Sequence, residues 1–182
     1  MSIPAFRIFY RIMLPVFTIL AFSGNCAAQD PNFTQFYNAP LYLNPAFTGM
    51  TPDMRFATSY RRQWAQVPDA INTNIFSFDY NLEKQNSGIG LLLMNDRFGA
   101  GNLQANHILL SYAYFVPLSS KWQLSAGLQG GYVIRSAAWS NLRFGDQIAA
   151  GGGSSQENIG DFNAGLPDIS AGVLLHNGTL WL

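Results

Sequence analysis

From residue 54 to residue 176, apolar and polar side chains alternate in separate runs of about ten residues or more. The clearest run is Trp122–Arg135. Trp122, Leu124, Ala126, Leu128, Gly130, Tyr132 and Ile134 share one face, and Gln123, Ser125, Gly127, Gln129, Gly131, Val133 and Arg135 share the other. A period of two marks a strand whose faces meet different surroundings. A soluble strand averages about 5–6 residues, whereas about 9–11 residues cross the hydrocarbon of a membrane in a tilted barrel strand. Trp122 near one rim and Tyr132 near the other suit the aromatic girdles of such a barrel.

Five further runs repeat the pattern. Residues 54–64 set Met54, Phe56, Thr58 and Tyr60 against Arg55, Ala57, Ser59 and Arg61. Residues 72–81 set Asn74, Phe76, Phe78 and Tyr80 against Ile75, Ser77 and Asp79. Residues 88–97 turn Ile89, Leu91 and Leu93 outward. Residues 103–116 turn Ile108, Leu110, Tyr112, Tyr114 and Val116 outward, with His107, Ser111 and Ala113 inward. Residues 167–176 turn Ile169, Ala171, Val173 and Leu175 outward, with Asp168, Ser170 and Gly172 inward.

The connections alternate in length. Residues 65–71, 98–102 and 137–166 form the longer set; 82–87, 117–121 and Asn177-Gly178 form the shorter. Asn-Gly is a strong hairpin signal, because both residues tolerate positive φ. Barrels of the bacterial outer membrane have short periplasmic turns and longer outer loops. The 137–166 loop, with its glycine-rich tract in the 150s, is therefore expected outside. Thr179–Leu182 reads as the opening of a seventh strand. Single-chain barrels of this kind start at eight strands, and an open edge in lipid is not tolerated. The expectation is the first half of an all-β transmembrane barrel: about six antiparallel strands plus the start of a seventh, from a longer protein.

Composition supports this class. Only 11% of residues are charged and 14% are aromatic, whereas soluble domains carry about 25% charge. Beyond residue 28 no stretch of 18 apolar residues appears, which leaves strands rather than helices to cross a membrane. Residues 1–28 have the form of an export signal. Arg7 and Arg11 precede the apolar Ile12–Phe22, and Cys26-Ala27-Ala28 offers small residues for cleavage before Gln29. The alternative is a lipoprotein signal on Cys26, for which Asn25 is a poor predecessor. Cys26 is the only cysteine, so the exported part has no thiol chemistry and no disulfide. Without Arg7 and Arg11, eight of the ten cations face ten acids, and no basic block offers itself to nucleic acid.

Residues 29–52 separate the leader from the strands of 53–182. Asn44 suits a helix N-cap, Pro45 the first helical position and Gly49 the left-handed residue after a helix end. One helical turn is expected there, with Pro31 and Pro40 holding an extended approach. Phe33, Phe36, Tyr37 and Tyr42 would pack at the periplasmic mouth or in the lumen. The segment is either a rigid lead-in or a plug and partner-docking element.

Several stretches together resemble one family. They are Gln29–Gly49, Tyr60-Arg61-Arg62-Gln63-Trp64, Gly88-Ile-Gly-Leu91, Asn141–Ile148 and Pro167-Asp-Ile-Ser-Ala-Gly172. In this order they resemble the PorP/SprF family of type IX secretion membrane proteins, whose pattern continues past residue 182. The resemblance implies a barrel of the Gram-negative outer membrane that serves secretion or gliding. It would help particular exported proteins, often large adhesins, reach or stay on the cell surface. Its implied partners are outer-membrane lipid, the periplasmic ring and peptidoglycan-binding components, and a secreted client. It implies no catalytic residues and no cofactor.

Candidate sites are few. His107 and His176 lie far apart without ligand spacing, so no metal site is expected. Ser111 or Ser59 with His107 would be the residues of a barrel hydrolase, although inward Ser and His are ordinary in a polar lumen. Asp146, Glu157 and Asp161 lack the dense oxygen ligands of a strong calcium site. Arg61, Arg62 and Trp64 lie where the first strand reaches the outer rim. They form either a lumen, headgroup and girdle series or a contact surface for an exported partner. Phe144, Gly145 and Asp146 form a second candidate surface, or a loop that caps the barrel. Asn44, Pro45 and Gly49 form the third. The leading function is a non-enzymatic secretion accessory; the alternatives are a porin-like channel and, less favoured, a hydrolase.

Overall fold

The structure is a computed structural model that describes residues 38–66, 70–99, 103–138, 145–149 and 160–177. Six strands make one antiparallel sheet in chain order: β1 (Met54–Gln63), β2 (Ile71–Leu82), β3 (Ser87–Phe98), β4 (Leu103–Pro117), β5 (Gln123–Ala137) and β6 (Phe162–His176). Each strand pairs with its sequence neighbour in up-and-down order. Among the described residues no helix is long and apolar enough to cross a membrane.

The alternation read from the sequence sets the faces. The outer face carries three apolar cross-strand rows. One is Met54, Tyr80, Ile89, Tyr112, Leu128 and Ala171. The next holds Phe56, Phe78, Leu91, Leu110, Gly130 and Ile169, and the third Thr58, Phe76, Leu93, Ile108, Tyr132 and Pro167. Ile169 is 83% exposed and Leu110 65%. Water would make such a face unfavourable, and lipid makes it stabilising.

Four expectations need correction. β6 begins at Phe162, five residues before the expected start, so the β5–β6 connection covers 138–161. Within it, α2 spans Gly145–Ala149. Trp122 precedes β5 instead of lying on it; its carbonyl accepts from the N–H groups of Leu118 (2.9 Å) and Ser119 (3.1 Å) and closes the β4–β5 turn. Pro40 does not hold an extended approach. It opens α1 (Pro40–Leu43), because proline fits the first helical turn, where no N–H partner is needed. Finally, the inner face is not uniformly polar. Ile75, Leu92, Met94 and Leu109 pack with Ala39 and Leu41 into a buried cluster, flanked by Tyr42.

That cluster is a core on the inner face, and the segment before β1 supplies part of it. Leu41 is fully buried against inward side chains of the sheet. Burying a leucine stabilises by about 1.5–3 kcal/mol. The segment is therefore part of the fold and not merely an approach to it. Residues 1–37, 150–159 and 178–182 lie outside the described residues, and with them the leader, Phe33, Phe36, Tyr37, the glycine tract, Gly178 and the seventh-strand opening.

Candidate functional site

Asn44 begins the local structure. Its backbone is extended, with φ −159° and ψ 125°, as proline at the next position demands. Its side-chain oxygen accepts the N–H of Ala46 at 2.8 Å and caps a 3-10 turn over Pro45–Phe47. Thr48 closes the turn through its N–H to the Pro45 carbonyl, and Gly49 then takes φ 69°. The sequence thus dictates one tight turn with a cap at its start and a left-handed residue beyond its end.

This turn fits the inner face because one cross-strand row is stripped of side chains. Gly88, Ala113, Gly127 and Gly172 are register partners on β3, β4, β5 and β6. A Cβ on Gly88 would strike the Thr48 carbonyl oxygen and stand 2.6 Å from Gly49 Cα. On Gly127 it would strike Pro45 and Ala46 backbone, and on Gly172 the Asn44 side chain. Three glycines in one row make a groove whose floor is backbone, and residues 44–49 occupy it.

The adjoining row supplies polar partners: Arg55, Asp79, Gly90, Ser111, Gln129 and Ser170. Asp79 is 1% exposed, and its carboxylate accepts from Gly49 N–H at 2.8 Å and from Arg55 Nε at 2.9 Å and Nη2 at 3.1 Å. The same Nη2 donates to the Phe47 carbonyl at 3.2 Å. Thr48 Oγ1 donates to Ser111 Oγ at 2.9 Å. Outside that row, Asn81 Nδ2 donates to the Gly49 carbonyl at 2.7 Å, Ser125 Oγ to the Ala46 carbonyl at 2.6 Å and Asn44 Nδ2 to the Val173 carbonyl at 3.3 Å. Buried backbone of the segment is thereby satisfied from β1, β2 and β5, while β4 and β6 engage its Thr48 and Asn44 side chains and β3 makes room with glycine. Burial without these partners would cost about 1–3 kcal/mol per group.

The expected site residues fall in different places. Asn44, Pro45 and Gly49 come together in the groove, with Pro45 and Gly49 buried. Arg61 turns inward and its Nη2 donates to Gln63 Oε1 at 2.7 Å, while Arg62 points to the outer face and is exposed. Trp64 takes φ 57° at the start of the β1–β2 connection and is 64% exposed. Gly145 opens α2; Phe144 and the Asp146 side chain lie outside the described residues. Sequence reasoning did not single out Arg55, Asp79, Asn81, Ser125, Gly88 or Gly127 as members of a site. The glycines were visible individually, but their common row emerges only from the strand register.

The hydrolase arrangement is not assembled. His107 and Ser111 are four residues apart on an extended strand, about 13 Å. Ser111 is engaged by Thr48, and His107 Nδ1 lies 3.9 Å from Asp168. Ser59 is separated from His107 by two intervening strands. Among the described residues no group of three His, Cys, Asp or Glu side chains can hold a metal ion.

The family described as type IX secretion system membrane protein PorP/SprF matches residues 25–182, which include the seated segment and all six strands. No curated protein and no solved structure matches the chain. The chain belongs to the PorP/SprF family of type IX secretion system membrane proteins.

Proposed function

We propose that this protein is a non-enzymatic accessory of type IX secretion in the outer membrane, exported by the signal at residues 1–28, which assists the export or surface attachment of specific secreted proteins such as adhesins. One observation carries the choice of docking over conduction: residues 39–49 cover part of the inner face with packed side chains and satisfied backbone. A solute channel needs a water-filled bore, and a buried apolar cluster at that position opposes one. The exported client would meet the outer loops, and the turns at the other end would meet the periplasmic ring and peptidoglycan-binding components.

The test is deletion of the gene in its native host, followed by comparison of surface and medium proteins with the parent. The expected result is loss or mislocation of one or a few exported proteins, with other outer-membrane proteins unchanged. Normal export combined with reduced uptake of a small solute would overturn the reading in favour of a channel.

A further inference from the structure

The outer face changes character abruptly toward the end that bears the β1–β2, β3–β4 and β5–β6 connections. Beyond the three apolar rows comes Tyr60, Asn74, Asn95, Asn106, Ile134 and Gly165. Beyond that comes Arg62, Asn72, Arg97, Gln104, Ser136 and Asn163. Three asparagines thus stand side by side on β2, β3 and β4, in a row that stays amphipathic or apolar on β1 and β5. Asn95 Nδ2 donates to Asn106 Oδ1 at 2.7 Å, and Tyr60 Oη to Asn72 Oδ1 at 3.1 Å. Where the amides meet Phe76, Leu93 and Ile108 there is a shallow cleft of about 490 Å³.

Arg62 and Arg97 flank Asn72 in the next row, so their backbones are two strand spacings apart, about 10 Å. Both are exposed. Among the described residues no acid pairs with Arg62. Two guanidinium groups at this separation can converge on one phosphate, which they bind through paired charge-assisted hydrogen bonds. Below them lie amide donors, which line one side of the cleft, and below those Phe76, Leu93 and Ile108 give it an apolar side. That vertical order, cation, amide, hydrocarbon, is the order of phosphate, linkage carbonyl and acyl chain in a membrane lipid.

We propose that this strip is a binding site for an anionic phosphorylated lipid of the outer leaflet, with a phosphate held by Arg62 and Arg97, linkage carbonyls at Asn95 and Asn106, and an acyl chain in the cleft over Leu93. The proposal rests on the outer-membrane barrel reading, which orients this end outward. The site fixes the depth and rotation of the protein in the membrane, because a lipid bound at one strip of a barrel wall resists both motions.

The experiment uses the full-length protein, purified in mild detergent and stripped of lipid, and native mass spectrometry with three probes: a diphosphorylated glucosamine lipid, phosphatidylcholine and inorganic phosphate. The expected result is retention of the glycolipid over phosphatidylcholine. R62Q combined with R97Q weakens retention on the order of tenfold or more, N95A combined with N106A weakens it less, and the inward-facing R61Q leaves it unchanged. Equal retention by wild type and R62Q/R97Q overturns the proposal, and so does full displacement of the lipid by millimolar inorganic phosphate. Recovery of the wild-type protein outside the membrane fraction refutes the barrel reading itself, a separate outcome from lipid binding that ignores these arginines.

Discussion

Replacing Asp79 with alanine is the sharpest test of how the segment before β1 is held. Its carboxylate receives three hydrogen bonds within 3.1 Å, two from Arg55 and one from Gly49 N–H. Alanine leaves the buried Gly49 N–H without an acceptor and strands a guanidinium whose side chain is 23% exposed. Removing one partner of a buried pair costs about 3–5 kcal/mol; the partial exposure of Arg55 favours the lower end, about 3 kcal/mol. Asp79→Asn keeps an acceptor for Gly49 but loses the charge, and should cost about 1–2 kcal/mol. Replacing both Asp79 and Arg55 with apolar residues of similar size should cost less than Asp79→Ala, since no charge is then stranded. The assay is urea unfolding of the full-length protein in phospholipid vesicles, followed by the mobility of unboiled samples on gels. Limited proteolysis between residues 38 and 52 is read in parallel. A loss below about 1 kcal/mol, with the segment still protected, would refute the argument that Asp79 anchors it.

Other substitutions probe the remaining contacts. Gly172→Val should cost about 1–3 kcal/mol and expose residues 38–49 to protease, because its side chain displaces Asn44, whereas Gly130→Ala, whose new Cβ would meet only the Asp168 carbonyl at 3.9 Å, should do neither. Leu41→Ala should cost about 2–5 kcal/mol in the same unfolding assay, by opening a cavity among Leu92, Met94 and Leu109. Asn44→Ala should cost about 1 kcal/mol through loss of the cap. Ile169→Arg should destabilise the vesicle-folded protein by about 2–4 kcal/mol, since Ile169 faces lipid; a neutral result would contradict the assignment of that face.

The strands and their faces were legible because two different environments impose a period of two, and every exposed apolar side chain named on β1 to β4 followed it. The start of β6 was not legible. Phe162–Leu166 interrupts the alternation with Gly165, and Pro167 usually argues against a strand interior. Both are tolerated here. Among the described residues β6 has a single hydrogen-bonded neighbour, and the Tyr132 ring covers the surface that Gly165 leaves bare. The turn at Asn44–Gly49 was legible from its cap and its glycine. Its seat was not, because Gly88, Gly127 and Gly172 lie on three strands and only register aligns them. α1 was missed for a related reason: Pro40 suits a helix start as well as an extended chain, and the burial of Leu41 decides between them.

The hydrogen bond from Asn44 to the Val173 carbonyl joins residues 129 apart in the chain. Each hairpin of the sheet, by contrast, closes over neighbouring strands. Local pairings form at small loop-closure cost, and distant ones must wait. The segment that leaves the ribosome ahead of every strand is therefore among the last to reach its place. Until β6 arrives, the groove that receives Asn44 and Pro45 is incomplete. A cell carrying a weakened groove should accumulate an assembly intermediate with paired strands and a protease-sensitive N-terminal arm. The failure would be one of completion, late in biogenesis, and not of strand formation.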